Sequence, residues 1–181
     1  SYPEAIRRGL ENSVEYCLIR PHQLPTPFFF TDEQIEASKN TKEKRWLVCI
    51  GSKPNKAERA YLDEAEKLGL DQTATFQGRD PWWNQGVAQP ADFAIPNFRR
   101  SRYKVVSYIE NGVLSPMPFH IVPNLASVRP EFADMKEIVF MWLLSKAGQK
   151  ALRSNERDAG NGLYTIRSGA LKQVDIPFIQ D

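Results

Sequence analysis

Cysteine, histidine and net charge are all in short supply in this chain, and each shortage removes a class of function. Two cysteines and two histidines in 181 residues are too few for a disulfide scaffold or a Cys/His zinc site. Cys17 and Cys49 sit in the apolar runs VEYCLI and WLVCI, where a thiol is expected to be a small, reduced core residue. His22 and His120 lie far apart, and neither has the neighbouring carboxylate pattern of a metal ligand or a catalytic base. A net charge of +2 makes no demand for a polyanion from the molecule as a whole, so any such site must be a local patch. The longest apolar runs, such as IVFMWLL, are too short to span a bilayer. The opening residues carry no secretory leader pattern, and the expectation is a soluble, cytoplasmic protein.

Recognisable chemistry is missing as well. There is no Gly-rich phosphate loop, dinucleotide fingerprint, Asn/Asp-Pro-Pro-aromatic cluster, HExxH or nucleophile elbow. No residue is therefore assigned a catalytic, cofactor-binding or metal-binding role. The sequential carboxylates Asp63, Glu64 and Glu66, with Asp80 and Asp92 further on, lack the spacing of a metal-dependent nuclease.

What is present is the composition of a globular protein, 41% hydrophobic and 25% charged. The segment VEYCLIRP reads as a short strand ended by Pro21. Thr31, with Gln34 three residues on, predicts a capped helix through about Ser38. KRWLVCIG reads as a strand buried on both faces. After Pro54 a helix is expected, with Ala57, Ala60, Tyr61, Ala65 and Leu68 on its apolar stripe and Gly69 as its stop. ADFAIPNF predicts a strand. YKVVSYI, turning at Asn111-Gly112, is expected to pair antiparallel with MPFHIVPN, where Pro116 and Pro118 imply an edge or a bulge. From Pro130 a strongly apolar helix follows, then a second helix in KAGQKALRSN. NGLYTIRSGALKQVDIP reads as strand, helical turn and strand. The sum is an α+β fold with small mixed sheets and packed helices. Residues 1–44 are read as an N-terminal extended or linker segment with a short helix, and 45–181 as the main domain, with one domain overall as the alternative.

The stretch RDPWWNQGVAQPADFAIPNFRRSRYKV, from Arg79 to Val105, is the candidate site. A tryptophan pair either stacks bases or anchors a loop on the core. Trp82 is expected to brace the loop and Trp83 to be the exposed member. Arg79 is placed to pin the same loop by hydrogen bonding its carbonyls. Arg99, Arg100, Arg102 and Lys104 form the densest basic cluster, and the guanidinium fork suits both phosphate and the major-groove edge of guanine. In an extended strand Arg102 and Lys104 share one face. Lys53 and Lys56, before a helix, are candidates for phosphate contact beside the backbone amides of its first turn. Asn84, Gln85, Gln89 and Asn97 interleave with the basic cluster and offer base-edge hydrogen bonds.

Four pieces in order carry a resemblance: KRWLVCIG; RDPWW with Pro90 and ADFAIPN; PFHIVPN; and NGLYTIRSGALKQVDIP. Together they resemble the C-terminal half of bacterial adenine-specific DNA methyltransferases of restriction-modification systems, over about Arg45 to Pro177. The resembling elements are Arg79, Pro81, Trp82 and Trp83; Asp92 to Pro96; and Gly162, Leu163, Gly169, Leu171, Ile176 and Pro177. The resemblance implies a target recognition domain that binds double-stranded DNA and works with a catalytic domain. The family's cofactor-binding glycine motif and its Asn-Pro-Pro-Tyr motif do not occur here, so S-adenosylmethionine is expected in that catalytic domain and not in these residues. The implied DNA-binding set is Arg99, Arg100, Arg102, Lys104, Lys53, Lys56, Trp83, Asn84, Gln85 and Asn97. Replacing Arg99, Arg100 and Arg102 together by alanine is expected to weaken DNA binding and leave the fold intact. The alternative from another class is a protein-interaction module of a restriction or phage-defence complex.

Overall fold

A computed structural model describes residues 1–18, 21–25, 28–84, 91–117, 120–121 and 124–177. In chain order it contains α1 (Tyr2–Arg7), β1 (Val14–Leu18), β2 (Phe29–Phe30), α2 (Asp32–Ser38), β3 (Trp46–Val48) and α3 (Lys56–Lys67). Then come β4 (Phe93–Ile95), β5 (Phe98–Arg99), β6 (Ser107–Glu110), β7 (Val113–Ser115), β8 (His120–Ile121) and β9 (Asn124–Ala126). The chain continues through α4 (Lys136–Leu144), α5 (Lys146–Ser154), β10 (Arg157–Gly160), β11 (Leu163–Thr165) and α6 (Ser168–Leu171). Helices with several small sheets make this an α+β protein. Among the described residues no helix is long and apolar enough to cross a membrane.

Two compact units share the chain: Ser1–Cys17 with Ile35–Gln89, and Leu18–Gln34 with Pro90–Asp181. In the first, β1 pairs antiparallel with β3. The three β3 residues are only half-buried, which corrects the expectation of burial on both faces: so short a strand contributes one pairing edge and little covered area. Helix α3 begins where Asn55 caps it. Its side chain accepts from the amides of Ala57 and Glu58, while the Glu58 carboxylate accepts from the Asn55 amide. The helix ends at Gly69, whose φ of 71° is left-handed. Its buried side is Glu58, Leu62 and Ala65, spaced four and three apart. The stripe therefore runs about a quarter-turn from the expected one, and Leu68 is 71% exposed.

The second unit holds the larger core: Phe93, Ile95, Tyr103, Val105, Val139, Phe140, Leu143, Leu152 and Ile166. Strand β4 pairs antiparallel with β9. Strand β6 pairs in parallel with β2 and antiparallel with β7. Asn111 and Gly112, both at positive φ, form the two-residue turn between β6 and β7, as the Asn-Gly pair predicts. The hairpin partner is Val113–Ser115 and not MPFHIVPN, because a two-residue turn puts Val113 directly opposite Glu110. A 3₁₀ segment, Pro130–Met135, precedes α4, so the apolar helix starts six residues later than expected. Serine 145 ends α4 and caps α5 through its hydroxyl. At this corner a Cβ on Gly148 would lie 2.1 Å from the Trp142 carbonyl oxygen, so only glycine fits. After α6, residues 172–177 form no strand, against the sequence expectation. Instead β11 is central in the sheet order β10-β11-β5.

Candidate nucleic-acid interface

The tryptophan segment belongs to the first unit and is an anchor. The Trp82 indole N–H donates to Glu66 Oε1 at 3.1 Å, and its ring stands edge-on to Phe76. Trp83, expected as the exposed member, is half-buried. Its N–H donates to the Gly51 carbonyl at 3.2 Å, and the Arg59 guanidinium lies over its ring. Both indoles thus spend their polar handle on the protein itself. Arg79 donates to the Asn84 carbonyl at 3.1 Å and so pins the loop as its position suggested. Asn84 is exposed. Gln85 and Gln89 lie outside the described residues.

Lys53 and Lys56 are exposed beside the start of α3, but the amides expected to help them hold a phosphate are engaged. The Asn55 side chain takes those of Ala57 and Glu58. Glu58 itself, bonded to the Ser13 hydroxyl, places a carboxylate where an anion would dock. A reciprocal cap closes the anion site that a bare helix start offers.

In the second unit the basic cluster splits by role. Arg99 is not a surface cation. It forms a fork-to-fork pair with the Glu156 carboxylate, the two side chains being only 8% and 10% exposed. Its guanidinium also lies 4.4 Å from the Tyr164 ring centroid and donates to the Ser101 carbonyl. Donating to the Glu156 carboxylate raises the Arg99 pKa further. Glu156 also accepts from the Tyr103 hydroxyl, and burial, then this bond, pushes the phenol pKa well up. Gln149 clamps the same loop, accepting from the Tyr103 amide and donating to its carbonyl. The expectation that an Arg99, Arg100 and Arg102 triple replacement spares the fold therefore fails at Arg99, where alanine strands a buried carboxylate.

Asn97 faces inward too. Its side-chain oxygen accepts from the Asn124 amide and its carbonyl accepts from the Ile166 amide. Asn124 in turn donates to the Ile166 carbonyl and accepts from Ser168. Asp92, at the other end of the ADFAIPN motif, accepts from the Val128 amide and pairs with Lys136. The motif is a brace for β9 and the segment after β11.

Arg100, Arg102 and Lys104 remain outside. Arg100 is exposed and donates to the Asn161 carbonyl at 3.0 Å, tying its loop to the tip of the β10–β11 hairpin. Arg102 is exposed over the Phe28 ring. Lys104 is half-buried between buried Tyr103 and Val105, in a stretch that forms no strand, so the strand expected to set Arg102 and Lys104 on one face is not there. Three arginines not anticipated from sequence join them. Arg157 is exposed on β10, Arg153 reaches toward the Ser101 carbonyl, and Arg167 is exposed just after β11. Among the described residues none of Arg100, Arg102, Arg153, Arg157 and Arg167 has a carboxylate partner. A carbonyl fixes a guanidinium without cancelling its charge.

The unit also holds a cavity of about 470 Å³ with mostly apolar walls, including Phe93, Val139 and Leu171, and with Arg129, Lys172 and Asp175 among its lining. Ser127 lines it as well, and among the described residues no hydrogen bond joins that hydroxyl to a base. Comparison with family models, curated proteins and solved structures finds no match to this chain.

Proposed function

We propose that this chain is the sequence-specific DNA-binding, target recognition domain of an adenine-specific DNA methyltransferase. On this reading methyl transfer from S-adenosylmethionine, and the pocket for the flipped adenine, belong to a catalytic domain outside these residues, and the protein acts in the cytoplasm. The observation that carries the DNA reading is the set of arginines around β5, β10 and β11 held by backbone carbonyls or aromatic faces and not by acids. Guanidinium groups so placed are oriented, charged and open to phosphate. An enzyme that acts on a base in duplex DNA must turn the base out of the stack. A second surface that grips the duplex and reads its neighbours then supplies register and sequence choice.

Fluorescence anisotropy with a labelled random-sequence duplex, at low and moderate salt, tests the reading. Binding that weakens steeply with salt is expected, because each phosphate contact releases counterions. Absence of binding at low salt and high protein concentration would overturn it. A second reading, a protein-interaction module of a restriction or phage-defence complex, is favoured by α4. There Ile138 and Met141, three residues apart, are 54% and 63% exposed, which presents an apolar strip to solvent. On that reading binding to a protein partner persists at high salt.

A further inference from the structure

Resting on the DNA reading, we infer that the β10–β11 hairpin is the base-reading element, and that it enters the major groove with Phe98 at its rim. The register carries the argument. Arg157 stands opposite Thr165, and Thr165 stands opposite Phe98, so these side chains form one row across three strands. The next row, Asp158, Tyr164 and Arg99, faces the other way, because side chains alternate along a strand. At β5 that second row is the inner one, since Arg99 is buried there against Glu156, while Asp158 at its β10 end is exposed. The first row is the outer one: Phe98 is 49% exposed and Arg157 is exposed. All four residues of β10 are exposed, so the hairpin is uncovered at its outer edge among the described residues.

Each member of the outer row matches a feature found on the major-groove edge. An arginine fork fits the O6 and N7 acceptors of guanine, and threonine or phenylalanine packs on the C5-methyl of thymine. A two-stranded β-ribbon is of a size that the major groove admits. The hairpin is also held in place: Asn161 and the flanking Gly160 and Gly162 all adopt positive φ, and Arg100 bonds the Asn161 carbonyl. Arg100, Arg102 and Arg153 flank the row and take phosphates, which contribute register but no sequence choice. The target is thus a duplex presenting guanine and thymine to the protein in the major groove.

Duplexes selected by the protein from a randomised pool supply the probe. In them guanine is replaced by 7-deazaguanine, or thymine by uracil, changes confined to the major-groove edge. Each is expected to weaken binding by roughly tenfold. Arg157→Ala should abolish the response to 7-deazaguanine, and Phe98→Ala the response to uracil, with melting temperatures confirming that both variants fold. Wild-type binding that is salt-dependent yet selects no sequence, or ignores both replacements, overturns the hairpin's role and leaves the DNA reading standing. Failure to bind any duplex at low salt overturns the DNA reading and this inference with it.

Discussion

The two units treat their cations differently. The first carries eleven basic and eleven acidic residues; Arg8 meets Glu4 and Glu64, Arg59 meets Asp63 and Glu66, and Arg45 meets Glu43, while Arg79 donates to the Asn84 carbonyl. The second carries thirteen and eleven. One of its arginines, Arg99, is sunk against Glu156, and around that pair Arg100 and Arg153 turn to backbone carbonyls. Net charge hides this contrast. A paired arginine and a carbonyl-bonded arginine count equally in a sequence sum, but only the second leaves an uncompensated field for a polyanion.

The largest effect that sharpens the contrast is expected at Arg99. Arg99→Ala leaves Glu156 buried without its counter-charge and should lower stability by about 3–5 kcal/mol in urea or thermal unfolding. Gly148→Ala, which drives a methyl into the Trp142 carbonyl, should cost about 1–3 kcal/mol or more by overpacking. Against these, Arg100→Ala with Arg102→Ala and Arg153→Ala should leave the unfolding midpoint nearly unchanged. Their effect falls on duplex binding, where losing three phosphate contacts makes the log–log salt slope shallower by up to about 2.7. If instead this triple variant melts early while its duplex affinity is unchanged, the two roles assigned within the cluster are reversed.

Alkaline titration separates the tyrosines of the second unit. Burial, and then the bond to Asp32, pushes the Tyr108 phenol up to about 12, and Tyr103 is raised in the same direction. Both folded values lie above the ordinary 10.0. The unfolded chain therefore releases these protons first, and stability present below pH 10 is lost as pH rises toward 12 and beyond. Denaturant melts across this range, with phenolate absorbance followed in parallel, should show both groups ionising at higher pH in the folded protein than in the unfolded chain. Tyr108→Phe should flatten the loss.

The parts of this molecule that local chemistry specifies are the parts legible in its sequence. Helix α2 starts directly after Thr31 and ends at Ser38, and the Asn111-Gly112 turn sits where its dipeptide requires. Strand β10 was not legible, because Arg-Asp-Ala-Gly contains no strand-forming side chain and exists as a strand only through its register with β11. The same limit hid the site. Whether an arginine or asparagine faces a groove or a core depends on a partner far along the chain: Glu156 for Arg99, Asn124 for Asn97. Arg153, Arg157 and Arg167 sit at ordinary spacing and gather only when the hairpin folds back beside β5. The Gly-Asn-Gly run at 160–162 was the one signal that could have disclosed a hairpin there.

The smallest expected effect is at Arg59. Its pairs with Asp63 and Glu66 are about half exposed, and an exposed pair contributes at most ~1 kcal/mol. Arg59→Ala also removes a guanidinium from over the Trp83 ring, but the indole keeps its bond to Gly51. The unfolding midpoint should therefore move little, and it should move less at high salt than at low salt. Because the lost charge was already met by carboxylates, duplex affinity and its salt slope should match those of the unaltered protein. A shallower slope in Arg59→Ala would place this arginine on the duplex and break the division between units, since a cation cannot contribute counterion release while its charge is neutralised within the fold.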